Sequence, residues 1–408
     1  MDHRRIHSGR RLPRFNRQAP RWAHPLPSAI VLMAPFDLLA SLAMDIYLPV
    51  VPVMPRALQT SPTVVQLTLS IYLLVLGLGQ LLFGPLSDRI GRRPVLLLGA
   101  LLFALSSFAL AMSSSGAAFL AWRTVQAVGA SAALVATFAT VRDVYADTPE
   151  GASLYGLFAS MLAFVPALGP IFGALLAGAV GWRAIFVLLG ALGMIAGMRA
   201  VRHWQETRPR CHDASRPAVR RILGSGAFWV YTLGFSAGMG TFFVFFSVAP
   251  RLLVGRMQYS PLSFSLAFAT VALVMIVTAR MAHVCIARWN VRGTFLRGLW
   301  VMVAGVLLMA LAAAWPPSFI AVVLPMWGIA VGLVMVVSVA ASGALRDFAD
   351  ASGTAVALYY AVQSLIVAGI GTLVTLVLPG DTVWPLVAYG LLLPLASLAG
   401  TAALRHRT

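Results

Sequence analysis

The sequence predicts an all-α polytopic membrane protein with twelve transmembrane helices in two six-helix halves, and three observations carry that reading. Hydrophobic residues make up 60% of the 408 positions and charged residues only 10%, too few to solvate a globular surface of this size. Apolar runs of about 20 residues recur from one end of the chain to the other, each long enough to cross hydrocarbon at about 1.5 Å per residue. The 30 basic residues are all arginine, and they gather at the ends of alternate runs rather than on one continuous face. The formal net charge of +18 therefore reads as an orientation signal for a lipid bilayer, and a nucleic-acid partner is excluded.

The predicted spans cover 29–53, 64–84, 94–113, 117–141, 152–180, 182–202, 226–250, 262–284, 295–314, 318–342, 353–378 and 383–404. About 34 residues per span leave short connections and no large soluble domain. The first residues carry Arg4, Arg5, Arg10, Arg11, Arg14, Arg17 and Arg21, and lead into a span too long for a secretory signal and without a cleavage site. Residues 1–28 are read as a cytoplasmic tail, disordered over about its first 25 residues. Counting spans from that tail, one side collects Arg89, Arg92, Arg93, Arg142, the cluster Arg202 to Arg221, Arg280 to Arg297, Arg346, Arg405 and Arg407. The other side holds only Arg56, Arg183, Arg251 and Arg256. That asymmetry predicts both termini in the cytoplasm. The polar stretch 203–225, mixing Arg, Pro, Ser and single acids, reads as a cytoplasmic linker between halves at 29–202 and 226–404.

The first span carries two acids, Asp37 and Asp45, eight residues apart. Eight steps of about 100° bring them to within about 80° of one another, roughly 12 Å apart along the axis, so both can face one cavity. An ionised carboxylate in hydrocarbon costs at least about 2.5 kcal/mol, so such residues face a bundle interior and by default do work. The alternatives are a structural hydrogen bond or a helix end that snorkels. The next connection reads Gly84-Pro85-Leu86-Ser87-Asp88-Arg89-Ile90-Gly91-Arg92-Arg93-Pro94. Here Gly84 would permit close helix approach, Gly91 would supply the turn, and Pro94 suits a first helical turn. Asp88 could serve a helix end or an arginine across the bundle, a latch made in one access state and broken in the other.

In the fourth span Arg123 falls about 9 Å inside the surface, where a guanidinium needs a partner or must snorkel outward. The first-span aspartates are the candidate partners, with Asp45 nearer in depth and Asp37 closer to the midplane. The fifth span contains Pro166, Gly169, Pro170 and Gly173, a run that removes backbone hydrogen bonds and thins the helix into a kinked packing face. Rings with a few polar groups, as an amphipathic ligand would want, occur at Tyr47, Tyr231, Phe235, Tyr359 and Gln363, although aromatic residues at helical spacing more often pack. Cys211 and Cys285 suggest no disulfide framework, and the seven histidines have no metal-ligand spacing. With no nucleophile–base pair and no nucleotide loop, nothing points to an enzyme.

Taken together, these stretches resemble the major facilitator superfamily. Gly84 to Pro94 is similar to its signature loop, the surroundings of Arg123 to its fourth-helix motif, and Pro166 to Gly173 to the motif that marks its antiporters, with Gly173-Ala174 where the family form has paired glycines. Pro35 to Pro49, Thr137 to Tyr145, Phe235 to Ser247 and Leu324 to Trp327 resemble the chloramphenicol and florfenicol exporters of the bicyclomycin-resistance-like drug/proton antiporters. The resemblance covers about residues 26–404. It implies a monomeric efflux pump of the bacterial inner membrane that exports phenicols by alternating access, driven by the proton gradient without a bound cofactor. By matching position it implies proton coupling at Asp37, Asp45 and Arg123, a conformational latch at Gly84, Asp88, Arg89, Gly91, Arg92 and Arg93, and a drug site including Asp37. Bicyclomycin or a broad set of amphipathic drugs is the alternative cargo, and a non-transporting membrane sensor the remote alternative.

Overall fold

The computed structural model describes residues 22, 24–145, 149–207, 216–316, 318–348 and 352–405. Its long helices are α1 (Leu26–Asp45), α2 (Pro62–Ile90), α3 (Arg92–Met112), α4 (Gly116–Tyr145), α5 (Pro149–Val180) and α6 (Arg183–His203) in the first half of the chain. The second half adds α7 (Gly226–Ala249), the stretch Pro261–Ala312, α10 (Phe319–Leu345), α11 (Ser352–Val377) and α12 (Trp384–Arg405). Pro261–Ala312 is helical almost throughout, but Asn290 breaks it with φ 54° and ψ 178°. The Asn290 Oδ1 accepts from the Gly293 amide at 2.9 Å, so Asn290 ends α8 (261–289) and caps α9 (291–312). With that break the described residues make twelve long helices, among them ten apolar stretches of membrane-spanning length when Pro261–Ala312 is taken whole.

Local sequence explains the boundaries. Ser61, Ser225, Ser260 and Ser318 each precede a helix, and each side-chain oxygen accepts from a backbone amide three residues on. Gly91 joins α2 to α3 at φ 110°, a conformation that only glycine adopts without strain. The predicted loop Gly84 to Pro94 is thus almost wholly helical, with the turn confined to one residue.

Within each half, the third and fourth helices cross through glycine. A Cβ on Gly99 of α3 would press on the Gly129 carbonyl of α4 at 2.7 Å. In the second half, a Cβ on Gly298 of α9 would lie 2.9 Å from the Gly332 carbonyl of α10. Small residues let backbones approach in this way where lipid supplies no hydrophobic driving force. The matching positions reveal a repeat that residue identity along the chain conceals.

The helices before and after the 203–225 connection pack mainly among themselves, and the two sets meet through α2 with α11 and α5 with α8. Gly77 of α2 sits directly on Ser364, and the Ser265 hydroxyl donates to the Pro170 carbonyl at 2.9 Å. The 3-10 turn Leu48–Val50 also touches the π-helical segment Pro250–Arg256, so the sets close together at the end bearing those residues. The opposite end carries Gly91 and most of the described arginines.

Within the tail expected to be disordered, Trp22 and His24 are packed against the bundle. The Trp22 indole N–H donates to the Tyr145 hydroxyl at 3.0 Å, and its ring meets Trp204 edge-on at 5.6 Å. His24 donates from Nε2 to the His203 carbonyl at 2.8 Å. Residues 1–21 and 23, like 208–215 of the expected linker with Cys211, lie outside the described residues. The rest of that linker is partly structured, through buried Trp204 and a short helix at Arg216–Leu223.

Candidate functional site

Both first-helix acids are interior, Asp37 at 3% and Asp45 at 4% exposure. The Asp37 Oδ2 has no hydrogen-bond partner among the described residues. Asp45 lies against the antiporter-like face of α5: a Cβ on Gly169 would come 3.1 Å from the Asp45 Cβ, and one on Gly173 would run into the Ile46 carbonyl. Pro166 and Pro170 interrupt the same helix around that contact. The two glycines are thus what allows α5 to lie on the end of α1 beside the second carboxyl.

Arg123 is fully buried, so its guanidinium does not snorkel. Contrary to the expected pairing, it forms no ion pair with either aspartate among the described residues. Its Nη1 donates to the Gln126 Oε1 at 2.6 Å and the Ala43 carbonyl at 3.1 Å. The guanidinium carbon stands 4.7 Å from the Tyr47 ring centroid and 4.4 Å from that of Tyr72. Two ring faces attract a desolvated cation by about 2 kcal/mol or more each, which explains how it is tolerated without a carboxylate. The cage is itself fixed. Gln126 Nε2 donates to Ser107 Oγ at 2.7 Å, and the Tyr72 hydroxyl to the Ala40 carbonyl at 2.7 Å. Thr68 spends its proton on the Val65 carbonyl, so the Tyr47 hydroxyl donates to Thr68 Oγ1 at 2.8 Å. Nε and Nη2 of Arg123 remain unmade.

The expected ligand-site residues divide. Phe235 meets Tyr359 at 5.0 Å and Tyr360 at 6.0 Å between ring centroids, with buried Gln363 one turn along α11 from Tyr359. The Tyr359 hydroxyl is buried and unpartnered. Tyr47 belongs instead to the arginine cage, and Tyr231 packs on Phe295 at 4.5 Å and against Gly343.

At the other end, the Gly84 to Pro94 motif folds onto a cluster of acids. Arg92, fully buried, donates from Nε to Asp143 Oδ2 at 2.8 Å and pairs through Nη2 with Asp88 at 2.5 Å. Its Nη1 donates to Ser87 Oγ at 2.7 Å. Glu206 accepts from the amides of Arg92 and Arg93 at 2.8 and 3.1 Å and so caps α3, filling the space beside Gly91 that a Cβ would need. Asp88 therefore finds its arginine within its own turn rather than across the bundle. Gly84 has open space where a Cβ would go, so close approach does not account for it in this conformation. Arg89 is exposed.

Sequence reasoning passed over Gln126, Ser107, Asp143 and Glu206. Gln126 was legible as the polar residue one turn beyond Arg123. Asp143 and Glu206 could have been sought from scarcity, because only 12 acids serve 30 arginines. Nothing local marks Glu206 as a helix cap, since it lies 114 residues beyond the Arg92 amide it accepts from.

This architecture of twelve packed helices with buried charge is that of a multi-pass membrane transporter. The chain belongs to the Major Facilitator Superfamily, whose sequence pattern matches residues 36–402. It is 48% identical over 385 residues to a chloramphenicol resistance protein of Pseudomonas aeruginosa, spanning 91% of this chain and 89% of that one. It is 29% identical over 280 residues to the multidrug resistance protein MdtL of Shewanella oneidensis, spanning 67% of this chain and 69% of that one. Among solved structures, a D-xylose–proton symporter superimposes with a TM-score of 0.76 at 16% identity, covering 92% of this chain and 97% of its own. A bacterial homolog of the human lysosomal transporter Spinster does so with a TM-score of 0.75 at 16% identity, covering 94% and 98%. At such identities these two likenesses speak for the fold alone.

Proposed function

We propose that this protein is a proton-driven antiporter of the bacterial inner membrane that exports chloramphenicol and florfenicol from the cytoplasm. The observation that carries the reading is the 48% identity to a chloramphenicol resistance protein, which extends over 91% of this chain and so over both halves. The arginine asymmetry supports an orientation with both termini and the Gly91 end in the cytoplasm. On that orientation the closed Leu48 end faces outward and the cargo enters from the Gly91 end. The chain works as a monomer, and the proton gradient is its sole drive.

Asp37 carries a proton in the inward-open state, where an ionised carboxyl without a partner would be costly. Drug bound near Phe235, Tyr359 and Gln363 offers hydrogen-bond acceptors to the unpartnered Tyr359 hydroxyl and favours release of that proton to the cytoplasm. Asp45 is reprotonated from outside once the Leu48 end opens. Nε and Nη2 of Arg123, unmade in this conformation, are the donors that an ionised Asp45 would take up once the helices rearrange in another access state. Alternating access then exchanges proton for drug around a fixed site.

The test is phenicol susceptibility of a sensitive bacterium expressing the protein, with and without a protonophore, beside Asp37→Asn. Resistance that collapses on uncoupling and is absent in the variant is the expected result. Wild-type drug exclusion by Asp37→Asn would sink the assignment. The MdtL likeness favours a second reading, export of bicyclomycin or a broad set of amphipathic drugs, which a drug panel separates.

A further inference from the structure

Arg251 and Gln66 take no part in the transport reading above, yet they meet where the two halves close. A cavity of about 320 Å³ at the Leu48 end is lined by Thr63 and Gln66 of α2, by Arg251, and by the chain from Thr375 to Gly380. A second cavity, of about 300 Å³, shares Gln66 and Arg251 and reaches Arg256 and Asp381. No acidic side chain lines the first. In the second, Arg256 Nη1 donates to the Asp381 backbone carbonyl at 3.5 Å, and no ion pair joins those two side chains among the described residues.

Three independent features make this seam a place for a negative group. Gln66 is only 2% exposed, and its Nε2 donor has no partner. A buried donor is rarely left unmade without a reason such as an absent ligand. Arg251 makes no ion pair or hydrogen bond among the described residues, and its guanidinium lies over Gly380 so closely that a Cβ there would strike Nη1. The C-terminal end of α11 draws the cation to that place without hydrogen-bonding it. Finally, Thr63 and Gln66 sit in the first turns of α2, whose positive dipole end favours negative charge.

We propose that this seam is an anion site, in which a phosphate group accepts from Gln66 Nε2 and the Arg251 guanidinium. The group is either free phosphate or the headgroup of an anionic lipid. Gln66 belongs to the first half and Arg251 to the second, so both donors reach one anion only while this end is closed. A bound anion therefore favours the closed state by its differential affinity and acts as a brake on opening. This holds whatever the cargo.

The experiment uses the purified full-length protein in maltoside micelles buffered with gluconate. It is titrated with inorganic phosphate in one arm and with phosphatidylglycerol, phosphate omitted, in the other, while the unfolding midpoint is followed. A saturable rise is expected. Its half-saturating concentration should increase by about tenfold or more in Gln66→Leu and in Arg251→Gln. Gly380→Ala, which displaces the guanidinium without removing it, should weaken binding in the same direction. A response to phosphate alone identifies a solute anion, a response to phosphatidylglycerol alone a lipid headgroup, and a response to both a site open to either source. Absence of a saturable rise in both arms, with wild-type protein that unfolds cooperatively, overturns the proposal. So does a half-saturation unchanged in the three variants.

Discussion

Arg123 shows how a membrane protein can bury a cation without an anion beside it. Two tyrosine faces, one glutamine oxygen and one carbonyl take the place of a counter-ion, and the tyrosines and the glutamine are each held by a further hydrogen bond. Gln126 is the member of that set with most to lose. Gln126→Leu removes the 2.6 Å acceptor from a charged donor and frees Ser107, so a loss of about 2 kcal/mol in stability is expected in thermal or denaturant unfolding. Tyr72→Phe keeps the ring over the guanidinium and loses only the bond to the Ala40 carbonyl, for a cost of about 1 kcal/mol. Should the two variants prove equally mild, the cage would not be what holds the arginine.

Among helices, glycine positions decide which pairs touch. Gly173 of α5 lies on the Ile46 carbonyl at the end of α1. Gly173→Leu should push α5 off the second aspartate, destabilise the protein by about 1–3 kcal/mol, and abolish export. Gly84 is the contrast. It has open space, so Gly84→Ala should leave the unfolding midpoint unchanged or raise it slightly, because alanine is the better helix former by about 1 kcal/mol. Loss of export with stability retained would place the need for that glycine in the other access state. Loss of stability in this variant would contradict the open space seen beside it.

Taken whole, the molecule is closed at its Leu48 end, and at the other end Arg92 draws its acidic partners from the first six helices and from Glu206 just beyond them. The arginine bias predicts which end faces the cytoplasm. A fluorescent protein fused after Thr408 should fluoresce, and alkaline phosphatase fused at the same point should be inactive; the reverse pattern would turn the proposed transport direction around.

The helices, their number and their membrane setting were legible in residue order, because apolar length and the side on which arginines fall are properties of a chain read one span at a time. Asp37, Asp45 and Arg123 could be singled out for the same reason, since a charge inside an apolar run is conspicuous wherever it points. Their partners were not. Asp88, read as serving either a helix end or an arginine across the bundle, pairs with Arg92 at its own end, where Arg92 also takes Asp143, and Arg123 was expected to meet an aspartate and instead meets two rings. Tyr47 and Tyr231, grouped by composition with Phe235 and Tyr359, were separated by helix rotation. Which residues meet depends on how helices turn about their axes and how closely glycine lets them approach, and neither is set within a single span. The seam between Gln66 and Arg251 depends on the same thing, for its two donors lie 185 positions apart in sequence and share a cavity only in the folded molecule.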